Sequence, residues 1–306
     1  MSESILTRPA PPADARIAYG DAPQHVADLR RPPDDGPHPA AITIHGGYWR
    51  NRYSLDYLGH LCAALTGLGL VTWNLEYRRV GDPGGGWPGT FHDVVNGSRY
   101  LLDHADELGV DRSRVVVLGH SAGGHLASWL ASLANVPPGS EIAAGPLPLL
   151  AAVPIAGVLD LHRAWELHLS DDAVVELLGG TAAEVPERYA AGSPMALTPP
   201  PVPALVIHGD WDDDVPIELS ERYHTALQAM GAISAMPPLP RMDHFDVVDP
   251  TSRAWPTMAR AIQALLDLSG AATNPRSPHR GNAQEPTRRR HDSAHAVGSS
   301  DPRHRR

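Results

Sequence analysis

The sequence predicts an α/β fold, a mostly parallel central sheet with helices on both faces. Two observations carry this. Apolar runs of strand length alternate along the chain with longer amphipathic stretches, and several of the runs are continuous, as expected of strands covered on both faces. Alternation of strand and helix favours parallel pairing, because each helix carries the chain back over the sheet. The 306 residues allow two domains, yet a single α/β unit of about 250 residues or more is equally compatible.

The expected strands are Ala15–Tyr19, His25–Arg30, Ala40–Ile44, Val71–Tyr77, Arg114–Gly119, Ala151–Leu159 and Ala204–His208. The first two form a candidate antiparallel edge. Between the later ones lie helices with apolar residues at helical spacing. Tyr53–Gly67 carries Leu58, Leu61, Cys62 and Leu65; Phe91–Leu108 carries Phe91, Val94, Val95, Leu101 and Leu102. Ile217–Met230 and Arg253–Leu268 show the same pattern. Cys62 lies on an apolar stripe and reads as core, not as a nucleophile. Segment 162–191 breaks the rhythm and is expected to form a small lid-like insertion.

Composition narrows the function. No apolar run reaches the ~20 residues of a membrane-spanning helix, and the first residues lack the pattern of a secretory signal. One cysteine excludes an intrachain disulfide framework and a cysteine-built metal site. These readings point to a cytoplasmic protein without a membrane partner. All 25 basic residues are arginine, against 35 acids, for a net charge of −10. The charge is unevenly spread: residues 271–306 carry a net +5, leaving −15 on the rest. An acidic body repels nucleic acid. The arginine-rich tail has too little apolar surface to offset ordering entropy and is expected to be disordered. The resulting plan is a flexible, proline-rich 1–14, a folded 15–270 and the tail 271–306.

The chemistry centres on Gly119-His120-Ser121-Ala122-Gly123. It directly follows the apolar run Val115–Leu118 and opens the helical stretch Gly124–Leu130. A sharp strand-to-helix turn would lift the Ser121 hydroxyl to the carboxyl end of the sheet, with a helix N-terminus behind it. A serine needs a base and an orienting acid. Past the last expected strand, His224 lies on a polar helix row with Ser220 and Gln228. His279, His291, His295 and His304 fall in the tail. His244 remains, in a loop before the final helix. For the acid, Asp210, Asp212, Asp213 and Asp214 all follow the strand ending at His208, and spacing alone does not choose among them. Oxyanion donors are expected from the backbone of Ala122 and from the loop His45-Gly46-Gly47-Tyr48-Trp49-Arg50. His45 reads as a brace for that loop, and Tyr48 and Trp49 as candidate pocket residues.

The order of these parts resembles the α/β-hydrolase fold over about residues 15–268: an HGG loop, then GHSAGG, then HGxxDxxVP, then a late DHF. The HGxxDxxVP pattern implies Asp212 as the acid, so the resemblance assigns a triad of Ser121, Asp212 and His244, with oxyanion donors at Gly46, Gly47 and Ala122. HGGYWR and GHSAGGHLA are similar to kynurenine formamidases and neighbouring bacterial esterases, and also to acetylxylan and feruloyl esterase-like hydrolases and to prolyl oligopeptidase catalytic domains. The implied activity is a serine carboxylesterase on small acyl substrates. An arylformamidase, a peptidase and a hydrolase-fold binding module are the alternatives. The implied mechanism requires no metal and no organic cofactor.

Overall fold

The computed structural model describes residues 4–273, with side chains to 267. The chain divides into one unit spanning Met1–Thr273 and a second, Asn274–Arg306; of the tail expected to be disordered, residues 271–273 end the last helix and the rest lies outside the described residues. Among the described residues there are eight strands: β1 Ala15–Ala18, β2 Val26–Arg30, β3 His38–Ile44, β4 Val71–Leu75, β5 Val110–His120, β6 Ala151–Ile155, β7 Ala204–Leu205 and β8 Ser234–Ala235. They form one sheet in the order β1-β2-β4-β3-β5-β6-β7-β8. β1 and β2 make the antiparallel edge, and every pair from β4 onward is parallel.

The continuous apolar runs follow from burial on two faces. Ile42, Val115 and Val117 join one core, while Ala41, Val116 and Leu118 join the core on the opposite side. The first face is covered by α2 (Gly89–Asp103) and α4 (Ala122–Ala131), through Phe91, Val94, Leu126 and Trp129. The second is covered by α1 (Gly59–Gly67) and α9 (Trp255–Thr273), through Leu61, Leu65, Met258 and Ile262. Cys62 is fully buried there, and burial pushes its thiol up to about 11. The remaining helices are α3 (Ala105–Leu108), α5 (Leu161–Glu166), α6 (Ala173–Leu178), α7 (Pro186–Gly192) and α8 (Glu218–Ala229).

Differences from the sequence expectation have local causes. The expected strand Ala151–Leu159 stops at Ile155, because Ala156 turns to a φ of 48°. β8 was not among the expected strands; it is two residues long and is not fully buried, so it leaves little apolar signal. The described residues before β1 are anchored, not loose. Ile5 is buried, Arg8 pairs with Asp249 at 2.7 Å, and Arg30 donates to the Pro11 carbonyl at 2.7 Å. Segment 162–191 forms most of α5, all of α6 and most of α7, and its Leu177, Leu178 and Tyr189 pack into the main core.

Candidate active site

Ser121 is the single residue between β5 and α4. Its backbone adopts φ 57°, ψ −121°, a strained conformation for a residue with a side chain. Steric exclusion explains both flanking glycines. A Cβ on Gly119 would lie 1.9 Å from the Gly123 carbonyl oxygen, and one on Gly123 would lie 2.0 Å from that of Ile44. The helix therefore packs directly against the ends of β3 and β5. Ser121 N–H donates to Ile155 at 2.8 Å, and the Ser121 carbonyl accepts from His125 at 3.1 Å, which fixes the turn at both ends.

His244 lies in the loop before α9, and its Nδ1 is 2.7 Å from Asp212 Oδ2. Both side chains are buried. Asp212 Oδ1 accepts the backbone N–H groups of Asp214 at 2.9 Å and Val215 at 2.8 Å. His208 Nε2 stands 3.1 Å from Asp212 Oδ2 and donates to the Val215 carbonyl at 3.0 Å. Burial pushes the Asp212 carboxyl up, but hydrogen bonds from His208 and His244, the His244 charge and the Val215 N–H outweigh it. The carboxyl is held well below its ordinary range. Its neighbours are engaged elsewhere or exposed: Asp210 accepts from the Arg241 N–H, and Asp213 and Asp214 face solvent.

Ser121 and His244 border one cavity of about 60 Å³, together with Gly47, Tyr48, Tyr53, Tyr57, His120, Asp214 and Phe245. The loop after β3 curls over it through successive positive φ angles at Gly47 (109°), Tyr48 (51°) and Trp49 (57°). His45 braces this loop, with Nε2 2.8 Å from Glu76 Oε1 and Nδ1 2.8 Å from the Gly46 carbonyl. Tyr48 donates its hydroxyl to the Asp214 carbonyl at 2.5 Å, tying the loop to the aspartate turn.

Three sequence expectations need correction. The Gly46 N–H is already donated to the Tyr57 hydroxyl at 2.7 Å, so it is not free for an oxyanion; Gly47 and Ala122 stay as candidate donors. Trp49 is not a pocket residue. It is fully buried, and its indole N–H donates to His125 Nδ1 at 3.2 Å. Segment 162–191, expected as a lid-like insertion, contributes none of the residues bordering the cavity. Sequence reasoning missed Tyr57 and His120, both of which border the cavity. The signal was present for His120, which sits inside the motif, but nothing in the sequence marks Tyr57 among other helix residues. Among the described residues, the set closest to a metal-ligand arrangement is Asp212, Asp214 and His244, with ligand atoms within 4.8 Å. Asp212 and His244 of this set are already hydrogen-bonded to each other through Oδ2 and Nδ1.

A sequence profile described as BD-FAE matches residues 28–227, about two thirds of the chain. The chain belongs to the BD-FAE family. The matched stretch includes Ser121 and Asp212 and ends before His244. Among similar proteins, esterase LipC of Mycobacterium tuberculosis is 30% identical over 270 residues, covering 82% of this chain and 64% of LipC. Esterase LipQ of the same organism is 29% identical over 243 residues, covering 76% of this chain and 57% of LipQ. This BD-FAE chain therefore spans about three fifths of the length of these curated relatives. A truncated carbohydrate esterase from gut microbiota superposes with a TM-score of 0.72 at 20% identity, over 84% of this chain and 99% of that one. Esterase B of Lactobacillus rhamnosis gives 0.71 at 22% identity, over 85% and 87%. The fold of the BD-FAE chain is the α/β-hydrolase fold.

Proposed function

We propose that this BD-FAE chain is a serine carboxylesterase that cleaves small acyl esters through a Ser121 acyl-enzyme, with His244 as base and Asp212 as its orienting acid. The observation that carries the proposal is the 2.7 Å contact of His244 Nδ1 with Asp212 beside the cavity that Ser121 borders. An ionised Asp212 accepts the Nδ1 proton, which leaves His244 Nε2 bare and basic. Nε2 takes the Ser121 proton as the hydroxyl attacks the acyl carbonyl, then returns it to the leaving alcohol. Water resolves the acyl-enzyme by the same route. The Gly47 and Ala122 N–H groups receive the oxyanion, and losing one such donor costs on the order of 10²–10³ in turnover.

The small cavity favours short acyl groups. The ester reading over the formamide reading is supported by the esterase names of LipC and LipQ. The acidic body and the lone buried thiol favour a cytoplasmic enzyme whose partner is its small acyl substrate and not nucleic acid. Among the described residues no helix is long and apolar enough to cross a membrane.

The test is burst kinetics with p-nitrophenyl acetate, comparing wild type with Ser121→Ala. A burst equal to the enzyme concentration in wild type and absent from the variant is expected. N-formylkynurenine is then run against short-chain and aromatic esters; a formamide turned over faster than every ester would replace the esterase reading. A folded wild type that neither turns over ester or formamide nor takes a fluorophosphonate label at Ser121 would leave a binding module.

A further inference from the structure

Tyr57 and His120 join the loop that carries Gly46 and Gly47 to the loop that carries His244. The Gly46 N–H donates to the Tyr57 hydroxyl at 2.7 Å, the same oxygen lies 2.8 Å from His120 Nδ1, and His120 Nε2 lies 2.8 Å from the His244 carbonyl. All three contacts are buried. Elementary chemistry then fixes every proton. A carbonyl only accepts, so His120 Nε2 carries its hydrogen and donates to His244. The neutral ring leaves Nδ1 bare, so the Tyr57 O–H donates to it. The Tyr57 oxygen keeps a lone pair for the Gly46 N–H. A protonated His120 would place an N–H against the Tyr57 hydroxyl and strip that hydroxyl of its acceptor. Burial, and the like charge of His244, push His120 well below the ordinary histidine range, which keeps it in the neutral form the chain needs.

The neighbourhood makes this connection rigid. The His120 and His244 rings lie 4.5 Å apart between centroids. Phe245 packs edge-on against Tyr57 at 6.2 Å and tilted against His120 at 5.6 Å. On the other side, a Cβ on Gly46 would fall 2.7 Å from the Ser121 Cβ, so the oxyanion loop rests directly on the serine. Freeing either loop would move a donor or a base relative to Ser121, and a misplacement of about 1 Å is enough to lower a rate roughly 10²-fold.

We propose that Tyr57 and His120 are positioning residues that hold the oxyanion loop and the base loop in one register on either side of the elbow, so that Gly47 N–H and His244 act on the same carbonyl at the same moment. The proposal rests on the Ser121–His244–Asp212 reading. It assigns the residue before the nucleophile a mechanical task that it performs through its neighbours without touching the reacting atoms.

The test uses Tyr57→Phe, which keeps the ring packing but leaves Gly46 N–H and His120 Nδ1 without partners, alongside His120→Gln, which keeps a neutral donor for the His244 carbonyl, and His120→Ala, which does not. Turnover of p-nitrophenyl acetate is expressed per site titrated with fluorophosphonate, and the downfield proton of His244 Nδ1 is followed by NMR. The expected result for Tyr57→Phe is a kcat per site lower by ~10-fold or more with KM changed less than ~3-fold, and a shifted or broadened His244 resonance. His120→Gln retains more kcat per site than His120→Ala. A purely structural role would lower the melting temperature while kcat per titrated site and the resonance stayed at wild-type values, and that result overturns the proposal. If wild type shows no Ser121-dependent turnover, the esterase reading fails, and the NMR resonance alone decides: unchanged in Tyr57→Phe it refutes the tether, perturbed it supports it.

Discussion

Asp212→Asn should abolish nearly all turnover while leaving the fold intact, and the structure says why. The backbone N–H groups of Asp214 and Val215 point at Asp212 Oδ1, so an asparagine must place its carbonyl oxygen there. Its amide NH2 then occupies the Oδ2 position, 2.7 Å from His244 Nδ1 and 3.1 Å from His208 Nε2. An amide nitrogen only donates, so His244 must accept at Nδ1 and carry its proton on Nε2. That tautomer has no lone pair for the Ser121 proton. The imidazolium formed in the transition state also loses its carboxylate. An acid-to-amide change of this kind lowers kcat by about 10⁴-fold, equivalent to about 5.5 kcal/mol of transition-state stabilisation. The assay is steady-state hydrolysis of p-nitrophenyl acetate at pH 7.5, with circular dichroism and thermal melting as fold controls. A folded variant retaining kcat within tenfold of wild type would refute both the tautomer argument and the role proposed for Asp212.

Acid should destabilise the fold through buried neutral histidines. Burial holds His125 at about 4 against an ordinary value of 6.5, so the unfolded chain binds its proton first as pH falls. The contribution of this residue is unchanged well above pH 6.5 and declines towards pH 4, by about 3 kcal/mol; urea melts at pH 7 and 4.5 should show the drop, and His125→Gln should reduce it. Gly123→Ala should lower stability by about 3 kcal/mol or more, since its Cβ would lie 2.0 Å from the Ile44 carbonyl oxygen. Gly145→Ala, whose nearest contact is an arginine end at 3.8 Å, serves as the control and should change the melting temperature little. Removing residues 274–306 should leave the melting temperature and the kinetics of p-nitrophenyl acetate hydrolysis unchanged, with any binding to polyanions lost; a fall in either of the first two would show that the segment supports the body.

Much of the candidate site is legible in the sequence. The motif around Ser121 was readable because a strand-to-helix turn of one residue forces small residues on both sides, and that steric demand is written into the local sequence. His244 was reached by elimination, since other late histidines lay on a polar helix row or in the tail. The choice of Asp212 over Asp210, Asp213 and Asp214 came from the likeness to a known pattern, not from physics, because four acids in five positions present the same local signal. Only the packed structure distinguishes them, by aiming one carboxylate at His244 and giving the other three different surroundings.

What the sequence by itself determined is therefore what depends on neighbours along the chain: the alternation of strand and helix, the two-faced burial of the central strands, the elbow and the glycines it requires. What only tertiary structure decided depends on residues far apart in sequence meeting at one point. Trp49 reads as a pocket aromatic until its indole is seen to donate to His125 in the core. Gly46 reads as an oxyanion donor until Tyr57, eleven residues later, takes its N–H. Segment 162–191 reads as a lid until its leucines join the main core. In each case the outcome turned on which partner satisfies a buried polar group or covers an apolar face, and those partners are chosen by the fold, not by sequence proximity.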